Sequence, residues 1–374
     1  MTWIIAALLG IILAYLTLEQ HRALADRKRL THVVHVNGIR GKSTVTRLID
    51  AGLRTGGWKV FCKTTGTVPM TIGTDNTARP LRRRGRANIS EQLRILHRAA
   101  EDGAQVLVIE CMAVNPALQH VAQHRMLRAD IGVITNVRLD HTAEMGQTLE
   151  EICDSLSNTI PKSGVLFTAD KDFFSQLKQN SKPLGCRVEL ALPRGSEPDL
   201  DFPENLALAL AVCRELGVDE ETALEGMRHY QPDPYALSIH RRSGGGIFVN
   251  GMSINDPQST RLVYRRLAQR FGWDSGELTL LINNRPDRGY RTEHMILLAQ
   301  ALRPAQIWLL GASQLATARA IQKEMPQVKI QRFVRAEELP LGQTHGVVFA
   351  AGNVAGPGHA VMKRVQEEGE IYVP

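Results

Sequence analysis

Apolar and polar positions alternate along residues 31–374 in two successive runs of strand and helix patterns. Short apolar, largely β-branched runs at 31–36, 58–62, 105–109, 131–135 and 165–168 have the length and composition of buried parallel strands. Amphipathic stretches at 45–54, 88–100 and 148–160 predict helices; Gly56-Gly57 stops the first, and the last opens on a Thr148-x-x-Glu151 capping box and ends at Pro161. A helix pair at 203–216 and 219–229 completes the first run. Residues 231–246 are rich in proline, then glycine, which places a domain boundary there. The second run has strands at 247–249, 278–282, 307–310, 328–330 and 347–350, with helices at 257–271, 292–302 and 313–324 between them. The expected architecture is α/β throughout: a central domain over 31–235 and a Rossmann-like domain over 246–374.

Composition changes this picture only at the N-terminus. The first 18 residues carry no charge, and 3–16 are almost wholly apolar. As a helix they reach about 27 Å, close to a hydrocarbon core of roughly 30 Å. A secretory signal would place a basic residue ahead of its apolar core. Here the basic residues follow (Arg22, Arg27, Lys28, Arg29), and the positive-inside rule then puts the remainder in the cytoplasm. Residues 1–18 are therefore expected to be a single transmembrane anchor at the inner or plasma membrane, and 19–30 a basic juxtamembrane segment; a buried N-terminal helix is the competing reading. The net charge of +7 is modest for 374 residues. Five cysteines without C-x-x-C spacing argue against a disulfide framework or a zinc site.

The chemistry lies at strand ends. Asn37-Gly38-Ile39-Arg40-Gly41-Lys42-Ser43-Thr44 joins a strand to a helix through a glycine turn, as a phosphate-binding loop does. Its glycines let backbone N–H groups approach phosphate, Lys42 supplies a point charge, and Ser43 is placed to hold Mg²⁺. The full Walker pattern wants a glycine where Val36 stands, so the loop is a shortened form or a chance match. Open parallel sheets bind ligands outside the carboxyl ends of their strands. Glu110 and the segment Asn136-Val137-Arg138-Leu139-Asp140-His141 each follow such an end, so Lys42, Glu110 and His141 point to a metal–nucleotide site. The turn Lys63-Thr64-Thr65-Gly66-Thr67 offers a further ligand or is simply solvated.

Residues 79–86 hold five arginines: Arg79, Arg82, Arg83, Arg84 and Arg86. Such a cluster repels itself and calls for nucleic acid, lipid headgroups or an acidic substrate, unless it is a solvated loop. No aromatic residue interleaves it, which weakens a nucleic-acid role. In the second domain, strand ends carry Asn250, the segment Asn255-Asp256-Pro257-Gln258-Ser259, and Asn283-Asn284-Arg285-Pro286-Asp287-Arg288.

Together these segments resemble the Mur ligase superfamily, which includes the folylpolyglutamate synthetases. The loop at 37–44 is similar to their T-G-T-N-G-K-T-T; Thr135-Asn136-x-x-x-Asp140-His141 with Gly146 and Thr148-Leu149-Glu150-Glu151 is similar to T-N-(x)n-D-H…G-T-x-E-E. Asn205 with Ala207 and Ala209 resembles N-x-x-A-A, and 255–259 resembles the H-N-P-x-S turn. Within the superfamily, the N-terminal apolar segment, the Arg/Gly stretch before Glu110-Cys111-Met112-Ala113 and the Arg-x-Asp-Arg of Arg285 to Arg288 most resemble the ligases of bacterial poly-γ-glutamate capsule synthesis.

The resemblance implies an ATP-dependent amide ligase that phosphorylates the γ-carboxylate of a glutamate chain end, after which a glutamate amine attacks the acyl phosphate. It implies ATP and Mg²⁺, with Ser43 and Glu110 on one metal, His141 on a second, and Asn205 at the adenine. Asn37, Gly38, Arg40, Gly41, Lys42, Ser43, Thr44, Asn250, Asp256 and Asp287 join the nucleotide set; Lys42, His141, Arg285 and Arg288 serve the reaction, completed by closure of the two domains. Arg82, Arg83, Arg84 and Arg86 would then hold the polyanionic product chain. Expected partners are glutamate, poly-γ-glutamate and integral membrane subunits of a capsule-synthesis complex, in a homo-oligomer without nucleic acid. Three departures stand out: Ser157 where the family has a carbamylated metal-binding lysine, Arg40 in place of asparagine as an added charge toward phosphate, and no UDP-binding N-terminal domain. A ligase using another acceptor, such as a folate, and an ATPase energising polymer export are the alternatives.

Overall fold

In the computed structural model, the described residues are all except 1, 84, 86, 196–201, 243, 255–256, 286–290 and 372–374. The expectations for Arg84, Arg86, Asp256, Asp287 and Arg288 thus lie outside the described residues. Two compact units divide the chain, Met1–Asp233 and Pro234–Pro374.

The β-branched run after residue 31 forms β1 (His32–Asn37), near the middle of the first unit's eight-stranded sheet. The other strands are β2 (Val60–Thr64), β3 (Met70–Ile72), β4 (Ala78–Pro80), β5 (Val106–Glu110), β6 (Ile131–Ile134), β7 (Val165–Thr168) and β8 (Arg187–Leu190). Their order is β4-β3-β2-β5-β1-β6-β7-β8; β3 and β4 add an antiparallel edge to an otherwise parallel sheet. Register decides where the chemistry falls. Val36 pairs with Glu110 and Asn37 with Ile134, so β1, β5 and β6 end level with one another. The phosphate loop, Glu110 and the 135–141 segment therefore share one edge of the sheet.

The N-terminal residues form one uninterrupted helix, α1 (Thr2–Arg29), with no break between the apolar and basic segments. Among the described residues it is the one helix long and apolar enough to cross a membrane, with a mean hydropathy of 1.9 in its apolar window and none of that window buried. Its C-terminal end docks on the domain: Arg27 Nη2 donates to Asp130 Oδ1 at 2.7 Å, Arg29 Nη1 to Glu101 Oε1 at 2.6 Å, and Asp26 meets His97 Nδ1 at 2.9 Å. Exposed ion pairs contribute little to stability. Ala23 and Leu30 add apolar contact by joining a core cluster with Val33, Leu96 and Ala99.

Helix α2 (Lys42–Thr55) buries Val45, Leu48, Ile49 and Leu53 against Val34, Val36 and the helices Pro203–Glu215 and Glu220–Arg228. Each fully buried aliphatic side chain contributes roughly 1.5–3 kcal/mol, so the loop's trailing helix is firmly seated. Helix α3 (Glu91–Glu101) covers the neighbourhood of β2 with Ile95, Leu96 and Ala99 packed near Phe61. The expected capping box at Thr148 and Glu151 is formed, and its helix ends at Ser157, three residues earlier than the pattern suggests.

The second unit has strands β9 (Ser238–Arg242), β10 (Ile247–Asn250), β11 (Leu278–Asn284), β12 (Gln306–Gly311), β13 (Lys329–Arg332), β14 (Val347–Gly352) and β15 (Gly369–Ile371). Their order is β13-β12-β11-β14-β10-β9-β15. Strand β9 corrects one expectation, because it lies inside the 231–246 boundary stretch. It is polar, Ser-Ile-His-Arg-Arg, and antiparallel to β10. Buried Arg242 anchors it by donating to the carbonyls of Leu341, Thr344 and Gly346 instead of to a carboxylate.

Candidate active site

The loop after β1 turns at two glycines that have positive φ, Gly38 at 124° and Gly41 at 80°. Neighbours close on both. A Cβ on Gly38 would overlap Thr135 Oγ1, and one on Gly41 would come within 2.5 Å of Asn205 Oδ1. Thr135 Oγ1 donates to the Arg40 carbonyl at 2.6 Å, and Asn136 both donates to that carbonyl and accepts from the Arg40 N–H, each at 3.0 Å. The Thr-Asn dipeptide after β6 is thus a clamp on the loop backbone, a role that its sequence alone did not disclose. The Arg40 side chain pairs with Asp140 at 2.8 Å, so the added charge expected for phosphate is met by a carboxylate.

Lys42 Nζ donates to the Gly38 carbonyl at 2.7 Å and the Ile39 carbonyl at 3.2 Å. Burial lowers its pKa while Glu110 acts in the opposite sense. Ser43 Oγ donates to Glu110 Oε2 at 2.8 Å, and the Thr65 N–H donates to the same oxygen at 2.6 Å. A hydroxyl and a carboxylate therefore meet beside a lysine, a donor set suited to Mg²⁺ when phosphate and water complete the shell. Among the described residues, no three His, Cys, Asp or Glu side chains form a fuller metal cage.

His141 adopts φ 51° at the start of a short helix, with Nε2 3.8 Å from Asp140 Oδ2. Burial lowers its pKa against the pull of Asp140, which favours the neutral imidazole. Asn37, Gly38, Ile39, Lys42, Glu110 and His141 line one cavity of about 270 Å³, with Thr65 and Arg83 also in its wall. The Asn37 side chain is itself committed inward, to Gln119 at 3.0 Å and Thr159 at 3.2 Å. Asn205, in the first turn of Pro203–Glu215, sits against Gly41.

The arginines separate. Arg79 pairs with Asp75 at 2.6 Å and Arg82 is exposed. Arg83 grips both oxygens of Glu91 at 2.7 and 3.0 Å. Lys63, expected in a turn, lies fully buried in β2 with Nζ 3.0 Å from Glu91 Oε1. Burial pushes the Glu91 carboxyl up, but Arg83 and Lys63 outweigh that and hold it below its ordinary value. Burial lowers the Lys63 pKa, opposed by Glu91. Lys63 and Glu91 went unassigned in the sequence; the one available signal was a lysine closing an apolar strand. Ser157 donates to the Cys153 carbonyl at 2.8 Å and accepts from Asn180 at 3.0 Å, a local network.

In the second unit, Asn250 is buried and donates to the carbonyls of Tyr235 at 3.2 Å and Ala236 at 3.0 Å. Arg285 stands one residue past β11.

Two family models match the chain: the Mur ligase middle domain over residues 36–194, and the poly-gamma-glutamate synthase CapB C-terminal domain over 236–368. The PGA synthase CapB of Bacillus subtilis is 33% identical over 98% of this chain and 98% of its own length. The capsule biosynthesis protein CapB of Bacillus anthracis is 35% identical over 91% of this chain and 78% of its own. The chain belongs to the CapB family. The CapB fold is that of the wider superfamily: a bifunctional folylpolyglutamate synthase/dihydrofolate synthase of Yersinia pestis, complexed with AMPPNP and Mn ion, superposes with a TM-score of 0.66 at 16% identity, covering 92% of each chain.

Proposed function

We propose that this chain is the ATP-dependent ligase of poly-γ-glutamate synthesis, joining glutamate through γ-amide bonds with release of ADP and phosphate. The observation that carries the reading is the convergence of Lys42, the Ser43–Glu110 pair and His141 on one cavity of a CapB-family chain.

In the proposed reaction a γ-carboxylate oxygen of the chain end attacks the terminal phosphorus of ATP and ADP leaves. The amine of an incoming glutamate then attacks the acyl carbon, phosphate departs, and the amine loses a proton. Such phosphoryl transfer rests on positioning and charge stabilisation. Lys42 releases its loop carbonyls to take phosphate oxygens, and the positive-φ glycines turn backbone N–H groups toward the same anion. Ser43 and Glu110 are the residues that would hold Mg²⁺, whose charge offsets that of the phosphates. His141, neutral and facing the cavity, is assigned to a second metal, and Asn205 to the adenine side of the loop. With Ser157 committed to Cys153 and Asn180, no lysine carbamate is assigned to that position. Arg285 and Arg288 are assigned to phosphate or carboxylate from the second unit, and Asp287 to the nucleotide.

The apolar part of α1 is assigned as a membrane anchor, with the catalytic units in the cytoplasm beside integral membrane partner subunits and further copies of this chain. The test is incubation of membranes holding the full chain with labelled glutamate, ATP and Mg²⁺. Glutamate-dependent ADP release and γ-linked product are expected; AMP as product, or turnover without an amide bond, would overturn the reading.

A further inference from the structure

Five arginines between 79 and 86 look interchangeable in sequence, but Arg83 alone among the described ones lines the cavity with Lys42, Glu110 and His141. Its Nε and Nη2 donate to the two oxygens of Glu91, a fork that fixes the plane of the guanidinium and leaves Nη1 unengaged by that carboxylate. Glu91 is itself immobilised. It is 3% exposed, opens α3, and its Oε1 lies 3.0 Å from Nζ of fully buried Lys63. The β2–β5 register sets Lys63 beside Ile109, the residue before Glu110, so this cluster adjoins the Ser43–Glu110 pair.

Charge counting gives the cluster a purpose. Lys42, Lys63 and Arg83 set against Glu91 and Glu110 leave one positive charge in excess at the cavity wall. Lys42 and Arg83 are the two basic side chains lining that cavity, and Lys42 is bound into the phosphate loop. Arg83 is the cation left for a second anion. A buried ion pair is costly to build unless further hydrogen bonds satisfy its members, and here the Arg83 guanidinium at the cavity supplies two of them to Glu91.

We propose that Arg83 determines acceptor specificity by taking the α-carboxylate of the chain-end glutamate, and that Glu91 and Lys63 are its positioning residues. The inference rests on the ligase reading above. A γ-linked chain ends in two carboxylates, and one alone becomes the acyl phosphate. Holding the α-carboxylate on the Nη1 end of a guanidinium fixed by Glu91 leaves the γ-carboxylate to reach the Lys42 end of the cavity. A guanidinium donates to carboxylate oxygens, whereas a primary amide would turn an N–H₂ toward its donors.

The experiment uses the full chain in its native membranes and two short oligo-γ-glutamate acceptors, one ending in a free α-carboxylate and one in an α-carboxamide. Wild-type protein should prefer the free acid by about 10–100-fold in kcat/KM, the factor that corresponds to leaving a buried donor unpaired. In Arg83→Gln that preference should collapse toward unity with KM for ATP unchanged. Arg83→Lys, which keeps charge and loses the fork, should recover part of it. Glu91→Gln should weaken the preference through KM for the acid acceptor. Arg83→Gln also removes two bonds to buried Glu91, so its melting temperature should fall while the Lys63–Glu91 pair keeps it folded, and the preference is read on the folded fraction. An undiminished preference in Arg83→Gln, or a raised KM for ATP with the preference intact, would overturn the proposal; the latter would assign Arg83 to phosphate. Failure of wild type to extend either acceptor would instead overturn the ligase reading, and this inference with it.

Discussion

Ser43 Oγ donates to Glu110 Oε2 at 2.8 Å across 67 residues of sequence. Strand register makes the contact: Val36 is paired with Glu110, so the end of β5 lies beside the loop that carries Ser43. Ser43→Ala and Glu110→Gln should each raise the Mg²⁺ concentration for half-maximal turnover by at least the 10–100-fold that metal-supporting groups are worth. A Mg²⁺ titration of ADP release checks this, and an unchanged midpoint in both variants would remove the pair from the metal site.

Lys42→Ala should lower turnover on the order of 10²–10³-fold, the usual cost of deleting one transition-state donor. Its present bonds go to carbonyls of its own loop, so the melting temperature should stay close to wild type. Near-normal ADP release from a folded variant would show that the loop is not catalytic.

Gly38→Ala should abolish nucleotide binding and destabilise the domain. Its φ of 124° and the overlap with Thr135 Oγ1 leave no room for a methyl group. Thr135→Val relieves nothing, since it deletes the 2.6 Å bond to the Arg40 carbonyl; a loss of about 1 kcal/mol is expected, with weaker ATP binding. Equilibrium unfolding together with nucleotide titration measures both effects.

His35 supplies a pH test. It is buried in β1 with Nδ1 2.8 Å from Gln123 Oε1, and burial lowers its pKa to about 4. The unfolded residue takes a proton near pH 6.5, so between about 6.5 and 4 the unfolded state binds more protons and stability falls with pH, on the order of 3 kcal/mol in all. Asp50 acts in the opposite sense, because burial raises its carboxyl to about 6 and the folded state takes up its proton first. The comparison of wild type with His35→Gln isolates the histidine: the variant should lose less stability than wild type on acidification. Parallel unfolding curves would refute the burial argument.

Much of this architecture was legible because the responsible signals are local. The loop at 37–44, the Thr148 capping box and the strand at 165–168 each announce themselves within a few residues. What escaped depended on partners distant in sequence. Strand β9 keeps a buried arginine because Arg242 meets the carbonyls of Leu341, Thr344 and Gly346. Lys63 looked like a turn residue because Glu91, its counter-ion, lies 28 positions away. The arginine cluster was read as one polyanion-binding surface, whereas Asp75 and Glu91 give Arg79 and Arg83 separate fates. Composition reports how many charges a segment carries, and only packing reports which are already answered.

The unbroken course of α1 from apolar tip to docked base has a mechanical consequence. A helix turns about 100° and rises 1.5 Å per residue, so a span fused in phase to Arg27 and Arg29 would act as a rigid keyed shaft. Rotation of its apolar half would be passed directly to the first unit. One residue inserted near Leu18 would turn the edge of the sheet that carries Lys42 by roughly a quarter circle relative to the apolar half of the helix, while seven would nearly restore its heading. The length of that helix thus sets the heading of the Lys42 edge relative to the helix's own apolar half.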